Sequence, residues 1–515
     1  MNTLIADLHL FFAAYWPHLA VVLSFAAGAA AAIHAAMTKR DVRAAIGWVA
    51  LALFSPLLGA LFYLVAGINR VRYSKLAQLR DAADPLLRRG DQISDPALSR
   101  AMPAHLASLI RLGDHVSQFP VLAGNRIQPL MGGDETYPAM LGAIRGARRS
   151  VALGSYIFDN DPVGREFVTA LREARERGVE VRVLIDSIGA RYSRPPITRL
   201  LRAAGIPVAL FMSDVLGLRL PYANLRSHRK LLVVDGELAF TGGMNIRAGF
   251  MAAYAGEAPT RDAHFRLEGP VVSQLMLVFA HDWEFTTGEN LRSATVFSVP
   301  EVSPGKTPGP GLEAKALEGG GKAAFGTMAA ESAGIPLRVV ASGPDRNIGR
   351  THDMLLGALA SAQRHVRLQT PYFLPDLTLI SAMTIAARRG VRVDVVIPDS
   401  NNLRLVDYAM TAQLDQLIAL GVRVWRATGT FDHAKLLTID DVWSYVGSSN
   451  MDSRSLRLNF ELDIEVHDRQ LAAWIANRID TAIAQARPVT LQALKALSFP
   501  RRLRNKIIWL ASPYL

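Results

Sequence analysis

The 515-residue sequence contains no cysteine. That excludes a disulfide framework and any thiolate metal site. It leaves the compartment open, because a chain without thiols tolerates either redox environment. Charge is missing from two long stretches: residues 8–38 and 44–69 hold no Asp, Glu, Lys or Arg. Each exceeds the roughly 20 apolar residues that cross a bilayer as a helix. Lys39, Arg40, Asp41 and Arg43 lie between them, so residues 1–75 read as a tight transmembrane hairpin rather than a helical pair in a soluble core. A signal peptide is not expected, since Asp7 and no basic residue precede the first run. Pro56 and Gly59 are expected to kink the second helix or make it re-entrant. A phosphate-binding loop is lacking too. The GGGK at 319–322 has neither the upstream glycine nor the following Ser/Thr and strand that such a loop needs.

Half of the residues are hydrophobic, and mean hydropathy is +0.18, high for a soluble protein. Lys and Arg outnumber Asp and Glu by 57 to 45, a net charge of +12. This suits anionic lipid headgroups or nucleic acid, and charge alone does not choose. Arg70, Arg72, Lys75 and Arg80 follow the hairpin, with Arg88 and Arg89 beyond. They favour a cytoplasmic body, although the basic turn weakens that inference.

Residues 76–119 read as a polar juxtamembrane connector with helical stretches. From about residue 120 an α/β pattern begins. RGVEVRVLID at 177–186 returns as RGVRVDVVIP at 389–398, so the duplication covers whole βαβ units. The expected divisions are 120–290 and 337–490, two α/β sandwich domains facing each other. A Pro/Gly/Ala-rich linker, 291–336, joins them. The tail, 491–515, mixes Arg501, Arg502, Arg504 and Lys506 with Ile507, Ile508, Trp509 and Leu510. It reads either as an interfacial anchor on anionic lipid or as an amphipathic helix packed on the body.

The organising feature is a repeated motif. SHRKLLVVDGELAFTGGMN at 227–245 returns as DHAKLLTIDDVWSYVGSSN at 432–450. His228, Lys230, Asp235 and Asn245 match His433, Lys435, Asp440 and Asn450. Alternation along a strand puts each His and Lys on one face. It puts each Asp on the other, as an organiser of the strand end. Two imidazoles, two ammonium groups and two amides suit a phosphodiester, with one His attacking phosphorus and the other protonating the leaving alkoxide. The scheme needs no metal and no cofactor.

These residues resemble the phospholipase D superfamily, whose double HxKxxxxD signature matches both copies. RDAHFRLEGPVV (261–272), SGPD (342–345), TPYFLPD (370–376) and GSSNMDSRSLRLNFE (447–461) narrow the resemblance to bacterial cardiolipin synthases. It implies an inner-membrane, multi-pass enzyme that joins two phosphatidylglycerols into cardiolipin and releases glycerol through a phosphatidyl-histidine. It places all of His228, Lys230, Asp235, His433, Lys435 and Asp440 in the catalytic set, with His228 as nucleophile and His433 as acid and base. Asn245 and Asn450 are expected to hold the phosphate. Glu461 looks like the carboxylate that orients a catalytic imidazole, and Asp262 is the candidate for the first copy, with a salt bridge to Arg261 or Arg266 as its structural alternative. Arg226, Arg454 and Ser455 either bind headgroup phosphate or pack the seam. Water as acceptor would make the enzyme a phospholipase D. A nuclease is the next alternative, against which the hairpin and the missing basic-aromatic surface both speak. A silent membrane scaffold conflicts with two intact motifs.

Overall fold

The computed structural model describes residues 2–39, 41–68, 78, 80, 94–212, 225–256, 258–291 and 334–512. The chain divides into an N-terminal unit, through Arg72, and a larger body that takes up nearly all the remaining residues.

In the N-terminal unit, a helix over Asn2–Thr38 contains the apolar stretch Tyr15–Thr38, 24 residues of mean hydropathy 2.0. Among the described residues it is the one helix long and apolar enough to cross a bilayer. The second apolar run is split, because Val42–Phe54 ends at Ser55 and Pro56–Phe62 begins anew. Proline has no N–H to continue the ladder, so the kink expected there is a break. The helices meet through small residues. Ala31, Ala35 and Ala52 are buried, and a Cβ on Gly28 would fall 2.6 Å from the Ala52 carbonyl oxygen. Such close backbone approach is typical of helices that associate within lipid. His34 Nδ1 lies 2.7 Å from the Tyr63 hydroxyl, so this histidine is partnered inside the unit.

The body is a tandem repeat of seven principal strands. The first set is β1 (Leu122–Met131), β2 (Ser150–Ser155), β3 (Glu180–Asp186), β4 (Val208–Phe211), β5 (Leu231–Val234), β6 (Leu238–Gly242) and β7 (Ala263–Glu268). The second is β8 (Ile335–Ser342), β9 (His365–Gln369), β10 (Arg392–Pro398), β11 (Arg423–Ala427), β12 (Leu436–Ile439), β13 (Trp443–Gly447) and β14 (Asn459–His467). They join in the order β11-β10-β9-β12-β13-β14-β8-β1-β7-β6-β5-β2-β3-β4. Counted inward from either edge, the two halves have the same order. They meet where β8 pairs antiparallel with β1. Helices Pro162–Glu176 and Leu377–Arg388 make the equivalent parallel crossovers β2 to β3 and β9 to β10. The motif strands β5 and β12 are buried at every position, as strands covered on both faces are; the one polar side chain, Thr438, donates to Trp443 O at 2.9 Å.

After each motif strand the chain turns through two left-handed residues, Asp235-Gly236 (φ +56° and +69°) and Asp440-Asp441 (φ +55° and +57°). Asp and Gly tolerate that region better than most residues. Asp235 accepts the backbone N–H groups of Arg148, Arg149 and Ser150 at 3.0, 2.7 and 2.9 Å. Asp440 accepts those of Gln363, Arg364 and His365 at 2.9, 2.8 and 2.8 Å. Each carboxylate therefore fixes the start of β2 or β9. A four-residue strand, about 13 Å long, separates each from its lysine. Both carboxylates are engaged by backbone at the start of the neighbouring strand, the organising role that alternation along the strand assigns them, and Asp440 also lies 3.0 Å from His105 Nε2.

Two further expectations change. Helix Ala104–Val116 buries Leu106 and Leu109 in the second half's core, and Asp114 pairs with buried Arg338 at 2.8 Å. This part of the connector is thus packed into the body. Arg80 is buried as well, so it is not a flanking surface cation. Residues 81–93, which include Arg88 and Arg89, and 292–333 of the linker lie outside the described residues.

Asp440→Ala leaves three backbone donors without their acceptor, and stability should fall by about 2–3 kcal/mol. Turnover per folded molecule should change little. Thermal unfolding and activity of the purified protein in detergent check this; a stable variant with abolished turnover would return Asp440 to the chemistry.

Candidate active site

The His-x-Lys segments lie immediately before β5 and β12 and are extended without being strand residues themselves. Each is held by the opposite half. His228 N donates to Phe460 O at 2.8 Å, and His433 N donates to Arg261 O at 2.7 Å. These equivalent bonds carry each imidazole across the seam, onto a carboxylate from the other repeat. His228 Nδ1 lies 2.9 Å from Glu461 Oε2, and His433 Nδ1 lies 2.8 Å from Asp262 Oδ2. The assignment of Asp262 to the first-copy histidine is therefore reversed, and Arg266, one of the two arginines of its structural alternative, pairs with Glu268 at 2.7 Å. With Nδ1–H given to a carboxylate, Nε2 is the ring atom that can meet phosphorus or a proton, and that of His433 also lies 3.1 Å from Lys435 Nζ.

The two carboxylates are held differently, which accounts for the one clear difference between the Gly-Gly-x-Asn and Gly-Ser-x-Asn copies. Ser448 Oγ donates to Glu461 Oε2 at 2.6 Å, and Asn459 Nδ2 donates to Oε1 at 3.0 Å. In the first copy a Cβ on Gly243 would fall 2.3 Å from Asp262 Oδ1. The shorter, closer aspartate needs glycine there, and the glutamate takes a serine hydroxyl.

Both lysines turn back onto their own histidine. Lys230 Nζ donates to His228 O at 2.7 Å, and Lys435 Nζ to His433 O at 2.6 Å. Lys435 Nζ also lies 2.9 and 3.1 Å from the His433 ring nitrogens. Burial, with the Lys435 charge beside it, lowers the Lys230 ammonium to about 7, and burial lowers the Lys435 ammonium to about 8. Burial and both lysines hold His228 well below its usual value; burial and Lys435 bring His433 to about 4. Burial works against the charge of Asp262, yet Lys435 and His433 hold it below the usual carboxylate range. Burial lifts Glu461, against the pull of Lys230 and the Ser448 hydroxyl. Two neutral imidazoles thus stand beside a pair of buried ammonium groups. Asn245 and Asn450 are buried nearby. Asn245 Oδ1 accepts Ile157 N at 3.1 Å, leaving its donor end for a ligand. Asn450 lines a small cavity with Lys435, and its Oδ1 has no partner among the described residues. Arg226 lies on a short strand paired with the second half, at the seam, whereas Ser455 N caps its own short helix on Asp452 at 2.7 Å.

Sequence reasoning missed four contributors. Tyr156 and Tyr372 stand edge-on to His228 and His433, with ring centroids at 5.1 and 6.0 Å. Their signal was the match of SYIF at 155–158 with PYFL at 371–374. Arg229, inside the first motif, has no counterpart in Ala434. It donates to Glu461 O, Asp282 Oδ2 and Ser342 O at 3.1, 2.6 and 3.1 Å. Arg80 closes this brace, 2.7 Å from Asp282 and 2.8 Å from Asp345, with its guanidinium over Phe460. Nothing in the sequence around Arg80 signals that contact.

The family described as "Cardiolipin synthase, PLD-like domain" matches residues 140–283 and 355–483. A second, "Phospholipase_D-nuclease N-terminal", matches 27–67. The chain is 29% identical over 511 residues to cardiolipin synthase A of Pseudomonas fluorescens Pf-5, covering 97% of this chain and 99% of that one. It is 30% identical to cardiolipin synthase A of Pseudomonas putida GB-1, covering 95% and 96%. To the cardiolipin synthase of Geobacillus thermodenitrificans it is 27% identical, covering 93% and 90%. Among solved structures, phosphatidylserine synthase of Haemophilus influenzae superposes with a TM-score of 0.57 at 15% identity. That match covers 79% of this chain and all of that one, and shows a shared fold.

Two measurements check this geometry. In double-mutant cycles on unfolding free energy, Glu461→Gln should couple to His228→Ala by about 0.5–3 kcal/mol and to His433→Ala by less than about 0.5. The reverse would restore pairing within each half. The lysines are charged below their depressed values and neutral above them. Accordingly kcat/KM, which reports the free enzyme, should fall as pH rises through 7 to 8. A bound phosphate anion raises both ammonium values, so kcat should hold to higher pH. A kcat/KM profile flat to about pH 9 would contradict the assignment.

Proposed function

The chain belongs to the PLD-like cardiolipin synthase family, and on that premise we propose that it joins two phosphatidylglycerols into cardiolipin and releases glycerol. The observation that carries this reading is the pair of imidazoles, each oriented by the other half's carboxylate, beside two buried ammonium groups. A phosphodiester between the lysines supplies their counter-charge. The amides of Asn245 and Asn450 hold its non-bridging oxygens, and Nε2 of His228 attacks phosphorus. Glycerol leaves as the P–O bond breaks, taking a proton from His433. The arriving anion offsets the charge of Lys435 beside that ring, so His433 gains the proton affinity that the ammonium otherwise denies it. In the second step His433 removes the proton from a hydroxyl of another phosphatidylglycerol. That oxygen attacks phosphorus and His228 departs. Charge growing on the non-bridging oxygens is met by the same lysines in both steps.

The N-terminal apolar helices serve as a two-pass anchor in a bacterial inner membrane, with the body on the cytoplasmic side. In this reading the working divisions are the hairpin, the two repeats and the basic tail.

Proteoliposomes containing phosphatidylglycerol and no other alcohol should yield cardiolipin and glycerol in equal amounts. His228→Ala and His433→Ala should each lose about 10²–10⁴-fold or more. Phosphatidic acid with glycerol would make water the acceptor, and no turnover of phosphatidylglycerol would sink the reading.

A further inference from the structure

The helix Phe499–Leu510 has one face on the body and another facing outward. On the body side Asn505 is buried, and Ile508 and Trp509 pack against the second half's core. Lys506 Nζ donates to Ala412 O at 2.6 Å, and the Arg504 guanidinium lies 3.6 Å from the Tyr408 ring centroid. Both partners belong to helix Arg404–Thr411 or the residue following it. The outward side is apolar: Phe499, Leu503, Ile507 and Leu510 are 67, 47, 58 and 73% exposed. At about 100° per residue these four fall within an arc of roughly 80°. Arg502 and Lys506 flank that arc on one side and Arg504 on the other. Leu403 and Leu405, at the start of the supporting helix, are exposed as well.

An apolar stripe flanked by cations, with the opposite face fixed to a folded body, has the chemistry of a surface lying in a lipid interface. Its charge complements an anionic headgroup layer and not a second copy of a chain of net charge +12. The supporting helix also leads to the chemistry. Asn402 Oδ1, just ahead of it, accepts from the Tyr372 hydroxyl at 2.9 Å, and Tyr372 is the ring beside His433.

We propose that Phe499–Leu510, supported by Arg404–Thr411, docks the body on an anionic phospholipid bilayer and holds the His433 side of the site at the headgroup layer. This deepens the phospholipid-transfer reading, and its test reads position rather than turnover, so the two can fail separately.

The absence of native cysteine permits single labels on the full-length protein. Leu503→Cys, Leu510→Cys and, as control, the exposed Glu176→Cys would each carry an environment-sensitive fluorophore. Each would be reconstituted at one protein per nanodisc containing nitroxide-labelled lipid. In discs rich in phosphatidylglycerol, labels at 503 and 510 should shift to the blue and be quenched, whereas the label at 176 should do neither. Zwitterionic discs should weaken the effect, and Arg502→Glu should weaken it in anionic discs without lowering Tm. Quenching at 503 no greater than at 176 would overturn the proposal, as would equal burial in both kinds of disc. Protection that appears only when two proteins share a disc would also overturn it, assigning the face to a second copy.

Discussion

Two backbone hydrogen bonds across the seam, His228 N to Phe460 O and His433 N to Arg261 O, decide what the site can do. Each draws a catalytic imidazole out of its own repeat and onto the other's carboxylate. The antiparallel meeting of β1 and β8 makes this possible by setting the two motif strands in equivalent places on either side. Neither half alone orients its histidine. The duplication therefore yields one site with two matched nitrogens, which is what a two-step transfer to and from phosphorus requires.

The second constraint is electrostatic. Two ammonium groups about 4 Å from a shared ligand, at an effective dielectric near 20, each interact with it by about 4 kcal/mol. Burial lowers both lysines, the Lys435 charge adds to the lowering of Lys230, and burial with the neighbouring ammonium groups keeps the imidazoles neutral. A phosphodiester reverses the sign of that interaction. In the proposed reaction the cost of burying the lysines thus becomes affinity for substrate, and a neutral His228 is the attacking group. The first motif is also braced as the second is not, through Arg229, Asp282 and Arg80. This removes the equivalence that left the two histidines interchangeable in sequence.

Much of this was legible because it is local. The motif pairs, the βαβ repeats and the turn-forming role of Asp235 and Asp440 rest on short spacings and side-chain periodicity. The break at Pro56 follows from one missing N–H. The carboxylate exchange was not legible. A separation of 34 residues between His228 and Asp262 suggests a partner within one half, whereas Glu461 lies 233 residues from His228. Only the sheet order brings it near. Arg80 misled for a related reason: an arginine after an apolar run reads as a membrane flank, and nothing nearby in sequence announces Asp282, Asp345 and Phe460. The difference between Gly243 and Ser448 was visible but had no meaning until the unequal lengths of Asp262 and Glu461 were seen against them.

Phosphorus, on this account, passes through a histidine on its way from one alcohol to another. The most direct test is the stereochemical course at phosphorus, using phosphatidylglycerol made chiral there with sulfur or oxygen isotopes. Each in-line displacement inverts configuration, so transfer by way of His228 predicts net retention in the product. Net inversion would mean a single direct displacement and would contradict the account.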